Sequence, residues 1–313
     1  MTHDFRVLRS RAALGGFIAI FLVAGLARAE SAPARTAKTP SKAAAARTGR
    51  PTAAAPIVSV EEGLQQIKKS PKDPGAYLAL GGAYRRAGRY QEAADTYKKL
   101  IAIDPNNSTA HLSLGAAYMD LKQPDDAERE FRKALKLNPA EPAAHYNMGN
   151  FYLAKGRRDD ALSEFRRATE LKPPFADAWV SMSLIQGELG KPDDAILGYK
   201  KALEIDSTNV RALTNYANAI YAQGKIAEAT GMYRKALHIE PSNQEANYNM
   251  GVAFADAQIF KQALWYWKKV VEIDSTSAVA ESAKSSVQIL EDFLSSQSGK
   301  IQQTPTGVTI EKH

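Results

Sequence analysis

Histidines and paired aspartates are the residues of this chain whose chemistry could support proton transfer or metal binding. The histidines are His3, His111, His145, His238 and His313, and adjacent aspartates stand at 125–126, 159–160 and 193–194. Imidazole and carboxylate groups act in this way when several converge on one point. Here their spacing is regular, because His111 and His145 are 34 residues apart and so are successive aspartate pairs. That regularity assigns them to a repeated structural element.

The two central histidines occupy a position that is aromatic in other copies of the repeat, as in Tyr77 and Trp179. We therefore predict that His111 and His145 pack in the interior and bind no metal. The aspartate pairs fall at predicted helix starts, where carboxylates complement the helix dipole and cap free N–H groups. The chain has no cysteine and no glycine-rich phosphate loop after a strand pattern. We expect no enzyme, no metal and no cofactor.

A 34-residue repeat accounts for the spacing. The stretch DDALSEFRRATELKP at 159–173 has related copies at 125–139 and 193–207. When six copies are numbered from residue 74 onward, positions 3 and 20 are always alanine. Position 24 is always aromatic, as Tyr97, Phe131, Phe165, Tyr199, Tyr233 and Trp267. Position 8 is always small, as Gly81, Gly115, Gly149, Ser183, Ala217 and Gly251. Small residues let two helices approach closely, and the aromatic ring fills the remaining space.

Proline is frequent at position 32, as in Pro105 and Pro139, where we expect it to end the second helix because it lacks an N–H group. This pattern resembles the tetratricopeptide repeat (TPR), in particular exported bacterial members of that family. The resemblance implies an all-α fold, an α-solenoid formed as a right-handed superhelix of TPR helix hairpins. It also implies an inner groove of the kind that binds proteins or peptides. One hairpin cannot bury both of its faces, so each repeat must pack on the next.

The repeats divide the chain into segments. Ser59 and Glu62 form a predicted capping box at the start of an extra half-repeat helix. After the sixth repeat, apolar residues recur on one helical face, at Val279, Ala283, Val287, Leu290 and Leu294. The predicted segments are a signal peptide at 1–29, a disordered Ala/Pro/Lys-rich linker at 30–56, a half-repeat helix at 57–73, six repeats at 74–107, 108–141, 142–175, 176–209, 210–243 and 244–277, a capping helix at 278–296 and a flexible tail at 297–313.

The first 29 residues are typical of an export signal. Arg6, Arg9 and Arg11 precede an apolar stretch at 12–27, and the small residues Ala27 and Ala29 indicate cleavage before Glu30. Sixteen helical residues span about 24 Å at ~1.5 Å each, less than the ~30 Å hydrocarbon core of a bilayer. We therefore expect a periplasmic protein with a cleaved signal. The alternative is an inner-membrane anchor through residues 12–27.

The positive charge of the chain lies in the same region. The net charge is +7, of which residues 1–29 carry +3 and residues 30–56 carry +4. The remaining residues carry 32 positive and 32 negative charges. A balanced body argues against a nucleic-acid-binding protein, which needs a basic stripe to displace counterions from phosphates. Membrane contact is expected at most through the basic linker or an uncleaved signal.

A helical wheel of the first helix in each repeat predicts the binding residues. At 100° per residue, positions 2, 5, 6, 9, 12 and 13 lie opposite the packed arc and face the groove. The polar and aromatic residues there are Tyr146, Asn147, Asn150, Arg211, Asn215, Asn218, Tyr221, Tyr248 and Asn249. Asparagine donates and accepts hydrogen bonds at once, which suits the backbone of an extended peptide. The alternative is that asparagine is merely common at these positions.

Two further aromatics depart from the repeat pattern. Trp265 and Tyr266 stand where other copies have polar residues such as Asp95 or Glu130. An exposed pair would be a secondary docking site, whereas packing beneath the terminal helix is the alternative that we favour.

The sequence therefore predicts a non-enzymatic scaffold that binds partner proteins or peptides and assembles a cell-envelope complex, such as pilus, secretion, outer-membrane or polysaccharide machinery. One alternative is a structural protein that self-associates, with the end of one array filling the groove of another. A second alternative is an accessory subunit of an envelope enzyme.

Overall fold

The computed structural model of the protein describes residues 58–301, and all regular structure within that range is helical. The predictions for the signal peptide, the linker and residues 302–313 lie outside the described residues. The helices are α1 (Val60–Lys69), α2 (Pro74–Arg86), α3 (Tyr90–Ile103), α4 (Ser108–Asp120), α5 (Pro124–Leu137), α6 (Pro142–Ala154), α7 (Arg158–Leu171), α8 (Ala176–Glu188), α9 (Pro192–Ile205), α10 (Val210–Ala222), α11 (Ile226–Ile239), α12 (Gln244–Asp256), α13 (Phe260–Ile273) and α14 (Ala278–Ile301). The predicted all-α chain of helix hairpins is confirmed.

Every repeat has the same helix boundaries, positions 1–13 for the first helix and 17–30 for the second. The turn between them places position 15 in the left-handed region. Glycine fills that position in four repeats, for example Gly88 at φ +74°. Lys122 and Gln258 fill it in the other two, at φ +58° and +59°. Left-handed backbone strains a residue that has a Cβ atom, so a glycine at position 15 marks the end of the first helix.

Proline at position 32 does not end the second helix, contrary to the prediction. Helix α3 ends at Ile103, before Pro105, and α9 ends at the same repeat position although Ser207 replaces the proline. The chain leaves the helix at position 31 instead, where an aspartate or asparagine accepts a hydrogen bond from the backbone two residues on. Asp104, Asn138, Asp206 and Asp274 do so at 2.9–3.3 Å. Such Asx turns compete with helical hydrogen bonding.

The carbonyl of the residue at position 32 has a different role, at the junction with the next repeat. Position 4 of the following helix bonds to it in four junctions. The side chain at position 4 lies within hydrogen-bond distance of the proline carbonyl in each case: Tyr77 and Pro71 at 3.0 Å, His111 and Pro105 at 3.1 Å, His145 and Pro139 at 3.0 Å, and Asn247 and Pro241 at 3.1 Å. Residues as different as tyrosine and asparagine thus connect successive repeats through one carbonyl group.

The aspartate pairs lie in the first turns of the second helices, as predicted, but they do not cap them. The residues at the N-caps of α5 and α7, Gln123 and Arg157, make no side-chain capping bond. Asp160 instead pairs with Arg157 at 2.7 Å, and Asp126 pairs with Arg129. The aspartates therefore stabilise these helices through their negative charge near the helix N-terminus.

The two helices of a hairpin are in closest contact between positions 8 and 24. A Cβ atom built on Gly149 would lie 2.6 Å from the ring of Phe165, and one on Gly251 would lie 2.4 Å from Trp267. Repeat 4 has Ser183 at position 8, and there the facing helix carries Gly198, whose added Cβ would lie 2.0 Å from the Ser183 hydroxyl. In repeat 4 the glycine therefore lies on the second helix instead of the first, and the two helices still approach closely.

The described chain divides into two compact units, residues 58–215 and 216–301, and the division falls within α10. In the first unit, consecutive helices pack on one another, and the first helices α2, α4 and α6 also contact each other in order. Helix α1 begins with the predicted capping box, because Ser59 and Glu62 exchange both of its hydrogen bonds.

In the second unit, α14 covers α13. The five apolar residues of α14 that share one helical face lie in a core around Trp267. Helix α14 continues to Ile301, beyond residue 296 where the sequence predicts the tail to begin. Between residues 58 and 301, no helix has both the length and the apolar character that a membrane span requires.

Two adjacent glycines in α2 provide a test of how closely the two helices of the hairpin pack. A Cβ on Gly81 would lie 2.3 Å from the Tyr97 ring, whereas one on Gly82 meets only the end of the Arg86 side chain at 3.5 Å. We expect Gly81→Ala to lower the free energy of unfolding by about 1–3 kcal/mol through overpacking. Gly82→Ala should raise it by up to about 1 kcal/mol through helix propensity. Urea denaturation of both variants measures this, and equal effects would contradict the packing argument.

Candidate functional site

The residues predicted to bind partners lie on the first helices. Positions 2, 6, 9 and 13 form one stripe on such a helix, because residues three and four apart are neighbours on the helix surface. We call the surface made by these positions the first-helix face and describe it separately in each unit. The structure sorts the predicted residues into one that is buried, several that are bonded within the protein and three that are free.

Tyr146 does not face a groove, contrary to the prediction. Its side chain is 1% exposed, and its ring lies 5.5 Å from that of Phe165 and 5.0 Å from that of Phe175. Position 5 is also buried in three other repeats, at Leu112, Val180 and Thr214. The reason is that a first helix packs against its own second helix and also against the residues that lead into the next repeat, such as Phe175. The buried arc is therefore wider than a single hairpin requires.

Three asparagines of the first unit have free side chains. Asn147 and Asn150 are partly exposed on α6, and Asn215 is partly exposed on α10. None of the three amide groups makes a hydrogen bond to another group within residues 58–301. Each amide can donate two hydrogen bonds and accept through its oxygen. These side chains are therefore available to a ligand at no cost in internal hydrogen bonds.

The centre of the stripe around these asparagines, at positions 6 and 9, carries no charge, whereas positions 2 and 13 include Asp177, Arg86, Asp120 and Glu188. In the first four repeats, positions 6 and 9 are filled by Ala79, Gly82, Ser113, Ala116, Asn147, Asn150, Ser181 and Leu184. The charged residues near its edge are paired, as in the 2.7 Å contact between Arg85 and Asp120. Arg211, a predicted site residue, donates to the Ser181 hydroxyl at 2.6 Å and is held there. The first-helix face of residues 58–215 thus has an uncharged centre of small, apolar and amide residues, in which Ala116 and Ser181 are buried, with charged residues at its two edges.

In the second unit, the predicted residues hold the protein together. The Asn218 oxygen accepts from the Tyr233 hydroxyl at 2.6 Å and from the Asn249 amide at 2.7 Å. Tyr221 donates to Asp256, and burial together with that carboxylate raises the pKa of Tyr221. These contacts link α10, α11 and α12.

Tyr248 also has a structural role. Its ring lies 6.3 Å from that of Trp267, its carbonyl accepts from the Trp267 indole at 3.1 Å, and its hydroxyl contacts Ser286 of α14. Tyr248 therefore belongs to the core that α14 completes. In this unit the first-helix face offers fewer free groups than the sequence indicated.

The two central histidines are interior residues, and each connects three elements. His111 Nδ1 lies 2.6 Å from Glu130, and His145 Nδ1 lies 2.7 Å from Glu164. In both cases the other ring nitrogen faces the proline carbonyl of the preceding repeat. The hydrogen bond to Glu164 raises the pKa of His145 above its usual value. Within residues 58–301, no group of three or more histidines, aspartates and glutamates converges as metal ligands would.

The glutamate partners were missed in the sequence, although a signal was present. Glutamate occurs at position 23 only in repeats 2 and 3, as Glu130 and Glu164, and these are the repeats with histidine at position 4. The paired occurrence within one chain indicates contact between the two positions.

The extra aromatics of repeat 6 form an exposed cluster. Trp265 is 56% exposed, so the favoured interpretation that it packs beneath the terminal helix is wrong for this residue. Its ring meets Tyr266 edge to face at 4.7 Å, and Tyr266 stacks on Phe254 at 5.4 Å with an interplanar angle of 13°. Lys269 lies over the Trp265 ring, with its Nζ atom 5.1 Å from the ring centre.

The free and bonded asparagines predict different effects on stability. Asn147→Ala and Asn150→Ala remove no internal hydrogen bond, so together they should change the free energy of unfolding by less than about 0.5 kcal/mol. Asn218→Ala leaves the buried Tyr233 hydroxyl unpaired and should cost about 1–3 kcal/mol. Denaturant titration compares the variants. A double variant less stable than Asn218→Ala would contradict the assignment of free amides.

The ion pair of His145 predicts a pH dependence of stability. Because the folded-state pKa is raised, the His145–Glu164 contact contributes fully below the unfolded pKa and is lost as pH rises through the folded value. His145→Asn keeps a group that can bond the Pro139 carbonyl, as Asn247 does in repeat 6. We expect this variant to be less stable than the natural protein by about 1 kcal/mol at pH near 6, with a smaller difference at pH near 8.5. Glu164→Gln serves as control, and in that background the substitution should lose its pH dependence.

Comparison with known proteins agrees with this architecture. A family model described as the C-terminal domain of cilia and flagella-associated protein 70, a TPR domain, matches residues 20–285. The small glutamine-rich tetratricopeptide repeat-containing protein 2 of Mycosarcoma maydis is 41% identical over 49 residues, which is 16% of this chain and 14% of that protein.

Two solved structures are similar in fold. One comes from the functional characterisation of PilF of Pseudomonas aeruginosa, with a TM-score of 0.58 and 21% identity over 68% of this chain and 97% of that chain. The other is the Cut9–Hcn1 heterotetramer of the APC/C, with a TM-score of 0.66 and 13% identity over 73% of this chain and 45% of that chain. At these identities the likeness concerns the fold alone.

Repeats of this kind generally mediate protein–protein interaction, and proteins built from them are typically non-catalytic scaffolds. The repeat register, the helix hairpins and a family model that matches more than half of the chain lead to one conclusion: this chain belongs to the tetratricopeptide repeat family.

Proposed function

We propose that the protein is a scaffold that binds an extended, uncharged segment of a partner protein on the first-helix face of residues 58–215. One observation carries this proposal: the amides of Asn147, Asn150 and Asn215 are partly exposed and unbonded on the uncharged centre of the first-helix face. A free amide that stays solvated in the unbound protein can exchange its water for a peptide backbone group without breaking an internal bond. Charged side chains are not required for such recognition.

The neutral character of the stripe limits the partner. An acidic or basic segment would lose its hydration against this surface without gaining an opposite charge. An extended backbone alternates N–H and C=O groups, and asparagine matches both. Side chains of the partner that point toward Ala79, Gly82 and Ala116 must be small or apolar, because those positions offer no hydrogen-bonding side chain.

We further propose that the protein acts in the bacterial periplasm, where it assembles a cell-envelope complex. The support is the sequence of residues 1–56: three arginines before an apolar stretch, small residues at the expected cleavage site and a basic linker. Pilus, secretion, outer-membrane and polysaccharide machinery all need non-catalytic parts that hold other proteins together. The charge balance of residues 57–313 gives no support to a nucleic-acid partner.

The proposal predicts that removing the free amides weakens partner binding. In a crosslinking pull-down from native envelope extracts, the variant Asn147→Ala, Asn150→Ala, Asn215→Ala should capture its partner at least about tenfold less well, since each lost hydrogen bond costs roughly 0.5–1.5 kcal/mol. Its circular dichroism and unfolding curve should match those of the natural protein, because no internal bond is lost.

The matched control removes three exposed amides elsewhere, at Gln66, Asn106 and Gln262. It should bind as the natural protein does. Unchanged capture by the Asn147, Asn150, Asn215 variant would overturn the proposal. A molecular mass that rises with concentration in light scattering, with no partner added, would favour the self-associating alternative.

A further inference from the structure

The second helices of residues 216–301 carry an aromatic and basic surface that partner binding on the first-helix face does not use. Its centre is Trp265, at position 22 of repeat 6 and 56% exposed. Position 22 is polar in the first three repeats, where it is Asp95, Arg129 and Ser163. The core position of this helix is already filled by Trp267. Trp265 therefore adds nothing to the packing of its hairpin.

The exposed indole is held in a fixed orientation. Phe254 of α12 stacks on Tyr266, and Tyr266 supports the edge of Trp265, so three rings form a continuous column from the interior to the surface. An unsupported surface tryptophan would lose rotational freedom on binding, whereas this one is already ordered.

Positive charge surrounds the indole. Lys261 and Lys269 lie one turn before and one turn after Trp265 on α13, and Arg234 of α11 is close enough to influence the Tyr266 hydroxyl. Together α11 and α13 carry Arg234, Lys235, Lys261, Lys268 and Lys269 against Glu228 and Glu272, a net of +3, although Lys268 pairs with Glu291 of α14 at 2.8 Å. The intervening first helix α12 carries Glu245 and Asp256 and no basic residue. The two kinds of helix in this unit thus have opposite charge.

We propose that this surface, Trp265 with Lys261, Lys269 and Arg234, binds the surface of an anionic lipid bilayer. Tryptophan prefers the boundary between headgroups and acyl chains, because its ring is apolar and its N–H is polar. Lysine and arginine beside it are attracted to anionic lipids, each contributing roughly a fivefold gain in partitioning. Trp265 is 56% exposed, and a broad exposed ring suits contact with an extended surface.

A second part of the chain has the same chemistry. Residues 30–56, which remain after the proposed cleavage before Glu30, carry a net charge of +4. Stable attachment of a protein to a membrane generally needs two signals. Contact through Trp265 and its lysines would be the second signal.

Quenching of Trp265 by brominated lipids tests the contact in the full chain. Trp179→Tyr, which introduces the residue that Tyr77 provides at the same repeat position, leaves Trp265 and the buried Trp267 as the only emitters. Vesicles of brominated phosphatidylcholine with phosphatidylglycerol should quench the exposed indole and shift its emission to the blue. Trp267, which is 1% exposed, should remain unquenched as an internal reference.

Charge-reversal variants make the test specific, because they keep the fluorophore. Lys261→Glu with Lys269→Glu should raise the lipid concentration needed for half-maximal quenching by about 25-fold or more. Lys133→Glu with Lys136→Glu, on the exposed face of α5, makes the same charge change and should leave quenching unaltered. Raising the salt from about 0.1 M to about 1 M, where the screening length falls from ~10 to ~3 Å, should also reduce quenching.

Three results would overturn the proposal. The first is a chain that floats with anionic vesicles while Trp265 emission stays unchanged, since the N-terminal segment alone would then make the contact. The second is equal quenching by vesicles of phosphatidylcholine alone. The third is a shift of Trp265 emission by a soluble acidic polypeptide such as polyglutamate with no quenching by lipid, which would assign the surface to an acidic protein.

Discussion

The close contact between position 8 and the aromatic ring at position 24 is the constraint on which the rest of the structure depends. A side chain at Gly81 or Gly149 would overlap the facing ring, so the two helices lie as near as their backbones permit. Repeat 4 shows that the short distance between the helices can be kept without a glycine at position 8, because Ser183 there faces Gly198 on the second helix. Because the hairpin is fixed in this way, the first helix packs one side against the second helix of its own hairpin and another side against the next repeat. The stripe of the first helix that remains exposed is narrow, and on that helix only the residues of the stripe can contact a ligand.

The junction between repeats also uses polar groups that the sequence presents as candidates for chemistry. The ring nitrogens of His111 and His145 contact a glutamate on one side and the carbonyl of a proline on the other. Tyr77 and Asn247 make the carbonyl contact without any charge. In these four junctions position 4 thus supplies a group that bonds to the carbonyl, whereas repeat 5 has Leu213 at this position. Both ring nitrogens of His111 and His145 therefore take part in contacts that join neighbouring elements.

Sequence reasoning predicted the fold well because a 34-residue period in small and aromatic residues has one economical packing solution. It failed for Tyr146, since a helical wheel of one hairpin omits the contact with the following repeat. It failed in another way for Asn218 and Asn249, whose mutual bond depends on the distance between α10 and α12 and leaves no trace in either residue type. Two signals were readable but missed. Glycine at position 15 marks the turn in four repeats, and aspartate or asparagine at position 31 accompanies the end of the second helix in four repeats, as often as proline does at position 32.

The two proposed binding surfaces, one in each unit, differ in the physical basis of their recognition. Neutral amides on the first helices favour a ligand that supplies donors and acceptors in a fixed order, which is a property of polypeptide backbone. Trp265 and its lysines favour a ligand with no fixed order, in which charge and an apolar boundary suffice. A side chain at position 22 of a second helix and one at position 6 of a first helix lie on different helices of their hairpins, so one repeat type can carry both kinds of surface. A departure from the repeat pattern that leaves a large aromatic ring exposed, as at Trp265, is therefore the place where a function separate from the repeat's own stability is to be sought.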